Sequence, residues 1–174
     1  MSAAAQPLQS VELPPEGKFK ANVAAMCKLF KMLAEEVNKQ NNIKLDVKLM
    51  DVVSAAIDTY DAEKIIETFI PRSLGYWDKL ISVDPDKSFL MQNATVVFKD
   101  FPTPNVKDYQ EAFNRKKDDG TDLVGPNYTT AIWKYLRTLI KFCIIYISNK
   151  RKIDTQYHSI INLQEWAPKF DAKL

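Results

Sequence analysis

The stretch Asn127 to Ser148, NYTTAIWKYLRTLIKFCIIYIS, limits the fold more than any other part of the 174-residue chain. At ~100° per residue, Phe142, Tyr135, Tyr146, Leu139, Ile132, Cys143, Leu136, Ile147, Ile140, Trp133 and Ile144 fall in one apolar arc of roughly 200°. A surface helix carries a narrower stripe, so this one must be covered on most of its circumference. The other helices are therefore expected to pack around it. Its narrow polar face carries Lys134, Arg137 and Lys141, interrupted by Ile145. Those three cations also break the best apolar run short of the ~18 uninterrupted residues of a membrane span, so none is expected.

Composition supports a folded helical domain. Apolar residues make up 46% and charged residues 26%, which is enough apolar material to build a core. A chain of this length buries about 70% of its extended surface and needs no disulfide or metal staple. Four glycines favour helices over tight hairpins. The net charge of +2 gives no global field for nucleic acid. From Lys134 onward, however, eight Lys/Arg face three acids, a local basic excess. Cys27 and Cys143 each fall on an apolar helix face, which reads as a pair of core thiols in a reducing compartment. No basic-then-apolar leader opens the chain, so secretion is not expected, and the sequons at Asn93 and Asn127 carry no meaning without it.

Met1 to Gly17, with three prolines and no periodicity, reads as an extended or disordered arm, and residues 18–174 as the bundle domain. Phe19 to Gln40 places Phe19, Val23, Met26, Phe30, Leu33 and Val37 on one stripe, with Leu29 and Met32 outside it. Ile43 to Leu49 alternates as a strand would, yet Leu45, Leu49, Val52, Ala56 and Tyr60 also follow helical spacing. With no second strand to pair with, a helix from Lys44 or Asp46 to Tyr60 is favoured. Asp61 is placed to cap the next helix, whose face is Ile65, Ile66, Phe69 and Ile70, and Pro71 is expected to break or kink it.

Ser73 to Ile81 is expected to resume as helix, and Asp84-Pro85 to start another running to about Lys99, although Val96 to Phe98 also fits a strand. Phe101 to Pro104 is a rigid connector into a short helix bearing Val106, Tyr109 and Phe113. Arg115 to Gly125 reads as a polar loop, and Gly125-Pro126 as the start of the central helix. Asp154 or Thr155 is expected to cap a last helix bearing Tyr157, Ile160, Ile161 and Leu163, ended by Pro168 and followed by loose residues.

Few residues offer catalytic chemistry. His158 is the sole histidine, and no serine or cysteine sits in a nucleophile elbow. One histidine and two cysteines are too few for a zinc site, and no glycine-rich phosphate loop exists. The acids Asp118, Asp119 and Asp122 lack the ligand spacing of an EF-hand and read as a solvated loop. No enzyme activity, cofactor or metal is expected. The candidate contact set for nucleic acid or an acidic partner is Lys134, Arg137, Lys141, Lys150, Arg151 and Lys152.

The segment Phe69 to Pro102, FIPRSLGYWDKLISVDPDKSFLMQNATVVFKDFP, followed by Ile132 to Ile147, resembles small all-helical proteins of the large nucleocytoplasmic DNA viruses. The matching residues are Tyr76, Trp77, Asp78, Asp84, Asp86, Phe89, Asn93, Phe98, Trp133, Lys134 and Tyr135, over about half the chain. The resemblance implies a viral setting, with the chain in the virion or the host-cell cytoplasm. It transfers no catalytic residue.

These readings add up to an all-α, single-domain bundle of about six or seven helices around residues 127–148. The expected function is that of a non-enzymatic structural or interaction protein, a virion component of minor-capsid type. It would dock protein partners, capsid proteins among them, through its arm and helical surface. A nucleic-acid-associated regulator using the basic helix face is the alternative.

Overall fold

The computed structural model describes residues 12–40, 44–90, 92, 106–152 and 161–174. The helices with both ends among the described residues are α1 (Pro15–Gln40), α2 (Val47–Thr59), α3 (Ala62–Ser73), α4 (Val106–Asn114), α5 (Pro126–Arg151) and α6 (Leu163–Lys169), and residues 87–90 are helical as well. Two 3-10 turns, Leu74–Tyr76 and Lys79–Ile81, follow α3. The only β pairing among the described residues is an isolated Lys116–Asp122 bridge, so the fold is an all-α bundle.

The two longest helices, α1 and α5, have 26 residues each, about 39 Å, and form the main seam. α5 also meets α3, α6 and the second 3-10 turn, which is the encirclement that its wide apolar arc demands. Ile132, Trp133, Leu136, Leu139, Ile140, Cys143, Ile144, Tyr146 and Ile147 are all buried, whereas Tyr135 and Phe142 at the edge of the arc are half-buried. α1 contributes Phe19, Val23, Met26, Cys27, Leu33, Ala34 and Val37 to the core. Two tyrosines of α5 lock the seams: Tyr128 Oη donates to Glu36 Oε2 at 2.7 Å, and Tyr146 Oη donates to Glu67 Oε1 at 2.7 Å.

Capping follows elementary helix chemistry. Asp46 and Asp61 accept from the N–H groups of Leu49 and Lys64 at 3.2 and 3.0 Å, satisfying donors that a first turn leaves open. The reading of Ile43 to Leu49 resolves in favour of helix from Val47, with Ile43 outside the described residues. Leu45 is buried and held by Asn38, whose side chain both donates to its carbonyl at 2.8 Å and accepts from its N–H at 2.7 Å.

Several expectations are corrected. Pro15 to Gly17 belong to α1 and not to an arm, because proline is preorganised for a first helical turn where its missing N–H costs nothing. Pro71 stays inside α3, two residues from its end, and the chain tightens into 3-10 turns only from Leu74. At this position the proline forgoes the bond to the Glu67 carbonyl and crowds that carbonyl, but only two helical residues follow, so little helix remains to be kinked. The helical start near Pro85 is set by Asp86, which accepts from Phe89 N–H at 3.1 Å and from Ser88 Oγ at 2.7 Å.

The last helix begins at Leu163, capped by Asn162, and contains Pro168. Ile161 precedes it without helical structure. The residues after Pro168 are not loose: Phe170 is buried against Trp77 and Trp166, with ring centroids 6.3 and 6.2 Å away. Residues 1–11, Val96 to Phe98, the connector Phe101 to Pro104, the Asp154/Thr155 cap and His158 lie outside the described residues.

Candidate functional site

The molecule carries a set of basic residues on and after α5, and a cleft between α2 and α3. The basic set does not form one free face. Arg137 turns inward, where its Nη1 donates to the carbonyls of Leu80 at 2.5 Å, Ile81, and Ser82 at 3.1 Å. Its Nη2 reaches the Lys169 carbonyl at 3.2 Å, and its guanidinium sits 5.3 Å from the Phe170 ring centroid. Arg137 therefore caps the open carbonyls at the end of the Lys79–Ile81 turn and ties them to the C-terminal segment.

Arg151 donates to the Ile161 carbonyl. Lys150 pairs with Glu63 at 2.9 Å and lies 5.5 Å from the Tyr146 ring centroid. The bond to Glu63 raises the Lys150 pKa above the usual lysine range. Lys134 and Lys152 are exposed, and Lys141 is half-buried. The structure thus separates six cations read as one surface into internal clamps, an ion pair and scattered lysines.

The acidic loop is likewise occupied by internal contacts. Asp122 bridges Lys87 at 2.9 Å and Lys116 at 3.1 Å, which holds its carboxyl below the usual range. Asp119 accepts from Thr121 N–H at 2.9 Å, and Gly120 turns the loop with a φ of 81° that its lack of a Cβ permits. No group of three or more potential metal ligands converges among the described residues.

The cleft was missed by sequence reading. Helical spacing groups Leu45, Leu49, Val52, Ala56 and Tyr60; Leu45 is buried and Leu49 packs against the core, but the residues that α2 itself buries are Met50, Val53 and Ile57. α2 is apolar on two faces. One packs on α1; the other, Val52, Ala56 and Tyr60, is left over. α3 also packs on α1, so both helices are anchored to α1 more than to each other. They leave between them a cavity of about 670 Å³. Ile57, Ile65, Phe69, Leu80 and Leu136 form its apolar interior, with Tyr76 and Ser73 at the 3-10 end. Val52 and Tyr60 on the α2 side remain 63% and 61% exposed. The two apolar faces on one short helix were the signal in the sequence that α2 had more apolar surface than one neighbour could cover.

Lys64, Thr68 and Arg72, four residues apart, run along the α3 side of the cavity. Three acids of these helices are engaged, Glu63 by Lys150, Glu67 by Tyr146, and Asp51 by Lys31 at 2.6 Å. Lys20 of α1 donates to the Asp58 and Tyr60 carbonyls, both at 2.8 Å, pinning the end of α2 beside the cleft. Ser73 is engaged, donating to the Ile70 carbonyl at 3.1 Å and accepting from Trp77 Nε1 at 3.0 Å. Chemically the cleft offers apolar burial with Lys64 and Arg72 in its lining, in the size range of ligand pockets. Both cysteines lie elsewhere, buried and free of any disulfide, with burial pushing the Cys27 thiol up to about 11 and the Cys143 thiol well above its ordinary value.

No protein-family model, curated protein or solved structure matches the chain. Among the described residues no helix is long and apolar enough to cross a membrane.

Proposed function

We propose that this chain is a non-enzymatic docking protein, which holds a protein partner in an assembly by burying the partner's apolar side chains between α2 and α3. The observation that carries this reading is the open cleft itself. A folded chain leaves an apolar side chain such as Val52 63% exposed beside an apolar cavity of about 670 Å³ at a cost in hydration. A partner would recover that cost. The resemblance of Phe69 to Pro102 and Ile132 to Ile147 to proteins of large DNA viruses supports a virion as the assembly, with this chain a minor capsid-type component.

The alternative of a nucleic-acid regulator draws little support from the geometry, because Arg137, Lys150 and Arg151 are engaged by Leu80, Glu63 and Ile161. The test places a photo-crosslinking residue at Val52, and another at exposed Asp118 as control, in the chain expressed where it assembles. Mass spectrometry of purified particles and native complexes should recover stoichiometric protein crosslinks from position 52 and not from 118. Absence of the chain from particles, together with equal background crosslinking at both positions, would overturn the proposal.

A further inference from the structure

We infer that the C-terminal segment built on α6 is a strap that holds the floor of the α2–α3 cleft in place, so that docking of the strap and occupancy of the cleft are coupled. This rests on the docking reading above and adds the regulation of that site. The coupling runs through the stretch from Leu74 to Ser82, which holds the two 3-10 turns and serves two sides. On one side Tyr76 and Leu80 line the cleft, beside Ser73 at the end of α3. On the other, the Trp77 ring meets the C-terminal segment, with its centroid 5.6 Å from that of Trp166 and 6.3 Å from that of Phe170.

Two polar links join the sides. Trp77 Nε1 donates to Ser73 Oγ at 3.0 Å, so the ring that Trp166 and Phe170 pack against also fixes a residue of the cavity lining. Arg137 Nη1 donates to the Leu80 carbonyl at 2.5 Å, while its Nη2 donates to the Lys169 carbonyl at 3.2 Å. Leu80 is thus tied from behind by the same guanidinium that ties the strap. Leu136, next to Arg137 on α5, lines the cavity as well.

The strap carries its own local structure. Asn162 caps α6, Lys169 pairs with Glu165 at 2.8 Å, the Trp166 and Phe170 rings stack at 6.2 Å, and Ala172 N–H donates to the Ala167 carbonyl at 2.9 Å. Such a segment docks and undocks as one unit. The sign of the coupling comes from the cavity. An apolar space of about 670 Å³ leaves its lining without contacts on one side, so walls that are free to move close in on it. With the strap docked, Trp77 and Arg137 hold Ser73 and Leu80 back and the cleft stays open. With it released, Tyr76 and Leu80 settle inward and the cleft narrows. Linkage then requires that a guest holding the floor back strengthens strap docking by the same factor.

The probe is Nile red, neutral and apolar, titrated into the full chain and followed by its emission. Ala56→Trp fills the cleft from a helical position and should abolish binding, which places the dye. Trp166→Ala removes a strap ring that packs on Trp77 and should weaken the dye about tenfold. In the parent chain, saturating dye should slow amide hydrogen exchange across residues 163–172 about tenfold, a readout that needs no variant and that a merely structural strap would not show. Equal or tighter dye binding by Trp166→Ala, or strap exchange untouched by the dye, would overturn the coupling. No saturable dye binding, or binding that survives Ala56→Trp, would remove the open cleft on which it stands. Partner crosslinks from position 52 in native particles that persist undiminished in Trp166→Ala would sink this inference alone and leave the docking function standing.

Discussion

Arg137→Met separates two views of the same residue. On helical periodicity Arg137 belongs to the polar back of the central helix, and its loss should change stability by no more than about 0.5 kcal/mol. In the structure its guanidinium holds the carbonyls of Leu80, Ile81, Ser82 and Lys169 and covers the Phe170 ring. A charged hydrogen bond contributes about 1.5–3 kcal/mol net. One guanidinium shared among four carbonyls, partly open to water, contributes about one and a half such bonds. The ring contact adds about 0.5–1 kcal/mol. Methionine keeps the aliphatic packing but leaves the carbonyls open, so the expected loss is about 3 kcal/mol.

With a urea m-value of about 2 kcal/mol/M, the midpoint should fall by about 1.5 M, read by circular dichroism and tryptophan fluorescence. Lys134→Met is the matched control at an exposed position one turn away, and should move the midpoint by less than about 0.3 M. Arg137→Lys should recover less than half of the loss, since an ammonium cannot fork across several carbonyls. A midpoint for Arg137→Met within about 0.3 M of the parent would refute the clamp.

Other outcomes follow from buried groups. Tyr109 Oη is buried and has no hydrogen-bond partner among the described residues, so Tyr109→Phe should be neutral or stabilise by up to about 1 kcal/mol in urea titration; a clear destabilisation would reveal a hidden partner. The Cys27 and Cys143 thiols have pKa values raised by burial, Cys27 to about 11, so unfolded chain releases their protons before the native state does. Stability is then fully present below pH ~9 and falls as pH rises toward 11, with a slope of up to about 1.4 kcal/mol per pH unit per thiol. Urea midpoints of parent and Cys27→Ala at successive pH values should converge as alkalinity increases, and parallel lines would contradict the assignment. Both thiols should also resist a disulfide reagent until the chain unfolds. Replacing Asn38 by alanine frees the Leu45 backbone and should cost about 1–2 kcal/mol, seen as a lowered melting temperature.

Much of the architecture was legible in the chain. The apolar arc from Asn127 to Ser148 dictated a surrounded helix, because apolar side chains on so wide an arc find cover only among other helices. Asp61 and Gly125-Pro126 located two helix starts through local backbone chemistry. These are short-range effects, determined by residues within a turn of each other. What surrounds a side chain is not short-range. Arg137 shares a helix face with Lys134 and Lys141, and only the arrival of Leu80, Ser82 and Lys169, 57, 55 and 32 residues away, makes it a clamp. α2 shows two apolar faces in sequence, but which one meets α1 and which lines a cavity was decided by how α2 and α3 seat on α1. Periodicity orders residues around one axis. The packing of separate axes determines which of those residues are covered and which remain open to a partner.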